Sequence, residues 1–150
     1  EVTVPKGDYA GWQLPLGDFI NNIDFAFGVT PYDLAKGLDT SDAAYDVYLM
    51  DASGNLYGGP DTYTANGAGY WLTENVEIVK WGADGFAFFI EPDIWDYDTE
   101  DYYSDGGYLN IGRLSSTTPA SGAVINANIV IKSRATSGKT LTIMLTLNFE

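Results

Sequence analysis

Residues 123–149 read AVINANIVIKSRATSGKTLTIMLTLNF, and their alternation decides the class of fold. In the first half Ile125, Ala127, Ile129 and Ile131 alternate with Val124, Asn126, Asn128, Val130 and Lys132. In the second, Leu141, Ile143, Leu145, Leu147 and Phe149 alternate with threonine, methionine and asparagine. Successive side chains of a strand point to opposite faces, so each half has one apolar face and one more polar face. Residues 133–139, SRATSGK, supply a turn between them. The two halves are expected to form an antiparallel hairpin over a core, in a register that the apolar faces fix.

The same period of two runs back through the chain. Tyr45, Val47 and Leu49 alternate with Asp46, Tyr48 and Met50, and Asp51, Ser53, Gly54 and Asn55 then turn the chain toward a return strand at Leu56. Residues 58–68 read as a polar loop with an Asn66-Gly67 turn signal. GYWL (69–72), VEIVKW (76–81), GFAFFIE (85–91) and GYLNIGRL (107–114) read as further strands, with residues 86–90, apolar on both faces, in a central one. EVTVP at the start is a candidate edge strand, set off from the helical segment after it by Pro5 and Pro15.

Two short helices are expected near the N-terminus. GDFINNIDFAFGV (17–29) carries an apolar stripe of Phe19, Ile20, Ile23 and Phe27. TPYDLAKGL (30–38) has Thr30 as N-cap, Pro31 at the first helical position, Asp33 in the positive first turn and Gly37 as stop. The pair resembles a helix-turn-helix, but residues 18–42 hold one lysine against five aspartates, the wrong sign for a DNA reader. Around eight strands, with no repeat and no linker, predict a single mainly β domain over residues 1–150: an antiparallel β-sandwich with two short N-terminal helices.

Composition narrows the function classes. A chain of 150 residues can bury roughly 68–70% of its unfolded surface, enough for a core without staples. Cysteine and histidine are both absent, which removes Ser-His-Asp, Cys-His and histidine-zinc chemistry. A net charge of −14 opposes nucleic acid and anionic lipid, so neither is an expected partner. No apolar run approaches the ~20 residues of a membrane-spanning helix. The opening at Glu1 reads as a mature or trimmed segment, and the acidic, tyrosine-, asparagine-, glycine- and threonine-rich composition suits an extracytoplasmic bacterial protein, secreted or anchored at the cell surface.

The stretch EPDIWDYDTEDYYSDGGY (91–108) holds the candidate site residues. Asp96, Asp98, Glu100, Asp101 and Asp105, with Asp93, offer oxygen ligands at one- to four-residue spacing, which calcium could use. The EF-hand template is not met, since Asp101 stands where that loop needs glycine and Gly107 where it needs glutamate. A solvated acidic loop between strands predicts the same letters. Trp95, Tyr97, Tyr102 and Tyr103 in this stretch, with Trp71 and Trp81 at strand ends, could stack on sugar faces, or could pack against the sheet. Paired carboxylates also suit glycoside hydrolysis. A chain with 21 acids contains such pairs by chance, so no catalytic residue is assigned. Residues 106–149 hold Arg113, Lys132, Arg134 and Lys139 and no acid, an asymmetry that either pairs charges across the sheets or leaves a dipolar surface.

The block YTANGAGYWLTENVEIVKWGADGFAFFIE, preceded by LGDFINNIDFAFGVTPYDLAKGL, resembles a Bacteroidetes family of uncharacterised extracellular domains of the DUF4859 type, over roughly residues 16–112. The resemblance implies no chemistry. It implies a context: parts of secreted or surface-anchored proteins of gut bacteria, near polysaccharide-handling machinery. Two functions remain open. One is a non-catalytic extracellular module that binds a polysaccharide or glycan. The other is a structural or interaction domain that meets another surface protein, with no small ligand.

Overall fold

The computed structural model describes residues 1–20, 29–38, 45–58, 69–134 and 138–150. In chain order its strands are β1 (Val2–Val4), β2 (Gly11–Pro15), β3 (Tyr45–Met50), β4 (Leu56–Gly58), β5 (Tyr70–Leu72), β6 (Ile78–Val79) and β7 (Phe88–Asp93). They continue with β8 (Trp95–Asp96), β9 (Asp101–Tyr102), β10 (Tyr108–Arg113), β11 (Val124–Asn126), β12 (Asn128–Ser133), β13 (Thr140–Ile143) and β14 (Thr146–Phe149). One α-helix, α1 (Pro31–Leu38), lies between β2 and β3. The fold is mainly β and sandwich-like.

The C-terminal hairpin behaves as its alternation requires, with one addition. β12 pairs with β13, Ile129 opposite Ile143 and Ile131 opposite Leu141, while β11 pairs with β14, Ile125 opposite Leu147. The register is unchanged from one half to the other, yet the halves belong to different sheets. The break falls at Ala127 and Leu145, where the Asn128 side-chain carbonyl takes the Leu145 N–H at 2.9 Å in place of a strand partner. A single hairpin therefore spans two sheets, and its whole apolar face, Leu141 through Phe149, is buried along both.

Among the described residues, three sheets surround one core. A five-stranded sheet has the order β2-β10-β7-β5-β6, a four-stranded sheet β13-β12-β3-β4, and a three-stranded sheet β1-β14-β11, in which β1 runs parallel to β14. Strand β7 is central, as its apolar run predicts, with β10 on one side and β5 on the other. Phe88 and Ile90 point inward from it to join Leu109, Ile111, Leu49, Ile129 and Leu147. The Tyr70 hydroxyl, its pKa pushed up by burial, crosses the core to donate to the Val47 carbonyl at 3.0 Å. Phe88 meets Phe149 edge to face at 5.7 Å between centroids.

Arg113, at the end of β10, is fully buried. Its Nε donates to the Ser115 carbonyl at 2.8 Å, and its terminal nitrogens donate to the carbonyls of Glu150 and Pro119. A guanidinium has five donors and no acceptor, so a shell of main-chain oxygens can hold it without a side-chain carboxylate. Arg113 thus contributes nothing to a dipolar surface. Arg134, just beyond the end of β12, pairs with Asp46 of β3 at 2.7 Å.

Around the edges, the expectation of two helices is not met. The described residues contain one α-helix, and the start of the other segment is a 3-10 turn, Leu16–Phe19, that buries Leu16. The rest of that segment, residues 21–28, lies outside the described residues, as does the Asn66-Gly67 turn. Helix α1 begins as its sequence dictates: Thr30 Oγ1 accepts the Asp33 N–H at 3.1 Å and Asp33 Oδ2 accepts the Thr30 N–H at 3.3 Å. Asp51 closes the β3–β4 turn by accepting from the Ser53 and Asn55 N–H groups, and the Asn55 bond holds its carboxyl below the usual range.

Candidate functional site

The acidic stretch 91–108 is not one loop. Pro92 and Asp93 finish β7, and β8 and β9 form a small ribbon in which Trp95 faces Tyr102 and Asp96 faces Asp101. Consecutive strand residues point to opposite sides, and the ribbon's rings separate accordingly. Trp95 and Tyr102 meet edge to face at 5.2 Å, and Tyr102 meets Tyr32 of α1 at 6.1 Å. Tyr103 instead packs on Tyr108 of β10 at 6.0 Å. Tyr97, 85% exposed, projects near the ribbon tip. None of the four rings is buried, but they do not share a plane.

The ribbon's carboxylates serve local turns and, at Asp101, a contact to helix α1. Asp96 Oδ1 accepts the Asp98 N–H at 2.9 Å, Asp105 Oδ1 accepts the Gly107 N–H at 3.2 Å, and Asp101 Oδ1 takes the Tyr32 hydroxyl at 3.0 Å. Glu100 sits at φ +54° in the turn. Among the described residues, no group of three or more acids is arranged to hold a metal ion.

Trp71 and Trp81 belong to a second aromatic group, and only one of them reaches solvent. Trp71 is 6% exposed, so its ring faces are not open to a ligand, and its indole N–H is buried without a partner among the described residues. Trp81, 51% exposed, packs edge to face on Trp71 at 5.9 Å and also meets Phe86, Phe89 and Tyr9.

This second group leads to a groove on the outer face of the five-stranded sheet. Tyr9, Trp12, Gln13, Phe89, Glu91 and Asn110 line it, over a floor that includes Gly11 and Gly112, and it encloses about 420 Å³. The register builds it in rows. Gln13, Asn110 and Glu91 stand side by side on β2, β10 and β7, and the Gln13 amide donates to Asn110 Oδ1 at 3.1 Å. In the next row Gly11 and Gly112 face Phe89. Glycine at 112 makes room for Phe89, because a Cβ there would run into the far end of the ring. The ring therefore lies across bare backbone. On the other side of the polar row stand Tyr108 and Asp93, against which Tyr103 packs. Rows two residues apart are about 6.6 Å apart, so the three span on the order of 13 Å.

The rim of the groove at Tyr9 is held open to solvent. Trp12, 48% exposed on the edge strand β2, stands opposite Ile111, so its side chain turns to the other face of the sheet from Gln13. Tyr9, 58% exposed, sits at φ +55°, a left-handed conformation costing on the order of 1 kcal/mol for a residue with a Cβ. Its neighbours hold it there: the Arg113 N–H donates to the Ala10 carbonyl at 3.0 Å, and Asp8 Oδ1 accepts the Ser116 N–H at 2.9 Å. Partial burial, then Asp93, raises the Glu91 carboxyl above its usual range. Asp93 is likewise the main cause of the upward shift at Tyr103.

Tyr9, Trp12, Gln13, Phe89, Glu91 and Asn110 are not candidates from sequence. The one legible signal is GFAFFIE, a central strand with Phe89 and Glu91 on the face turned away from Phe88 and Ile90.

No curated protein and no solved structure matches the chain. A family model does match, the domain of unknown function DUF4859, over residues 8–139. The matched segment is wider than the resemblance read from motifs. It contains the ribbon and every residue of the groove and leaves out β1, β13 and β14. The chain belongs to the DUF4859 family.

Proposed function

We propose that the chain is a single, non-catalytic carbohydrate-binding domain of an extracytoplasmic bacterial protein, and that the outer-face groove is its contact surface. The observation that carries this reading is the alternation of ring and polar rows: Phe89, with Tyr9 at the rim, beside Gln13, Asn110 and Glu91, along one face of the sheet. Sugars present apolar C–H faces ringed by hydroxyls. Rings stack on the faces, while amides and a carboxylate take the hydroxyls. The rows lie on hydrogen-bonded strands, which presents the surface with little ordering cost on binding. The groove is open, which favours holding a chain over cutting it.

The test is retardation in native gels cast with plant, host-mucin and microbial polysaccharides, run with calcium and again with chelator. At least one glycan class should retard the wild type, and Tyr9→Ala should abolish the effect, since the ring is 58% exposed at the rim of the groove and its loss costs little stability. Sensitivity to chelator would assign calcium to the 91–108 stretch. No retardation by any polymer, with a folded chain, would replace this reading with an interaction domain that meets another surface protein.

A further inference from the structure

We infer that the groove selects uncharged glycans and excludes uronate-, sialate- and sulfate-bearing ones, with Glu91 as the residue that determines this specificity. The inference rests on the reading of the groove as a glycan site and names its substrate class. Glu91 carries the one charge among the described residues that line the groove, and no lysine or arginine lines it. Asp93, two residues on, faces the same side of β7 beside Tyr108. An anionic sugar seated on Phe89 and the Gln13–Asn110 pair would lie against these carboxylates with no cation to offset the repulsion. A half-buried carboxylate gains from hydroxyl donors what it has lost in water contacts, so a neutral, hydroxyl-rich ring satisfies it. Partial desolvation already raises the affinity of Glu91 for a proton, which is what an acceptor short of donors does.

The groove's preference is separable from the overall charge of −14. At about 0.15 M salt the Debye length is roughly 8 Å, so distant acids are screened while a carboxylate in contact with the ligand is not. Removal of Glu77, an exposed acid outside the groove, alters net charge equally and serves as the control.

The experiment measures retardation by matched pairs that share a backbone: hydroxyethyl- and carboxymethyl-cellulose, esterified and de-esterified homogalacturonan, desialylated and native mucin glycans, all at 0.15 M salt. The neutral member of whichever pair binds should retard the wild type at least about ten-fold more strongly than the anionic one. Glu91→Gln should weaken the neutral interaction about ten-fold, because a charge-assisted hydrogen bond is lost. The same variant should narrow the neutral-to-anionic ratio, while Glu77→Gln should leave it unchanged. Equal binding of both members, or a ratio that Glu91→Gln does not move, overturns the selection while leaving the glycan site standing. Failure of every pair to bind overturns both.

Discussion

The β8–β9 ribbon and the outer face of the five-stranded sheet hold nearly the same materials, aromatic rings beside carboxylates, and put them to opposite uses. In the ribbon, Trp95 leans on Tyr102, Tyr102 on Tyr32, and Asp96, Asp101 and Asp105 accept hydrogen bonds from their own neighbourhood. Its chemistry is spent on its own shape. Across the sheet, Gln13, Asn110 and Glu91 come from three separate strands, and the rings around them leave their outer surfaces open. The ribbon's rings and acids are satisfied by one another and by Tyr32 of α1 as the chain folds. Residues brought together only by strand register can be left facing outward on a rigid frame, where a partner can use them.

The most disruptive way to probe this contrast is Gly112→Ala. The new methyl group must displace the Phe89 ring, costing about 1–3 kcal/mol as overpacking does. That is a fall of several degrees in Tm for a chain of this size. Glycan retardation should disappear with it, and a variant that kept binding with Phe89 displaced would break the assignment of the ring as a stacking platform. A smaller effect is expected from the ribbon. Trp95→Ala combined with Tyr97→Ala removes one edge-to-face pair and should cost about 1 kcal/mol, or roughly 2–4 °C in Tm, with retardation unchanged. Loss of retardation there would move the contact surface to the ribbon.

The smallest effect is in the pH dependence of stability. Because the folded-state pKa of Glu91 is raised, the folded chain holds its proton more tightly than the unfolded chain does. The ionised form therefore works against folding, and stability declines as pH rises through the interval between the ordinary glutamate value and the raised one. Glu91→Gln removes this dependence. Melting curves should place the variant slightly above the wild type at neutral pH, with the gap closing as pH falls through that interval. A gap that widened on acidification would reverse the assigned direction.

Legibility in the sequence divides along the same line. The C-terminal hairpin can be read residue by residue, because burial of Leu141, Ile143, Leu145, Leu147 and Phe149 is written as a local alternation. Helix α1 announces itself through Thr30, Pro31 and Asp33. Strand β2 does not: GWQLP has no buried face, and Pro15 ends it, so only its pairing with β10 makes it a strand. The ribbon is hidden under its acids, although the neighbours Tyr102 and Tyr103 must diverge in any extended chain. The groove is beyond a linear reading, since Gln13, Phe89 and Asn110 are far apart in the chain and only the β2-β10-β7 order brings them together. The break in pairing at Ala127 and Leu145 leaves no mark either, because Asn128 looks like any polar strand residue until its amide replaces a backbone partner.

The parallel pairing of β1 with β14 has a mechanical consequence. Val2 lies beside Leu147 and Val4 beside Phe149, so the two strands run the same way at the margin of the three-stranded sheet. Tension applied at Val2 and at Phe149 pulls them in opposite directions along their common axis. The load then falls on all their hydrogen bonds at once, in shear, rather than opening them one at a time like a zipper. Strand β14 is also one arm of the hairpin that spans two sheets, so the same force is passed into the body of the core.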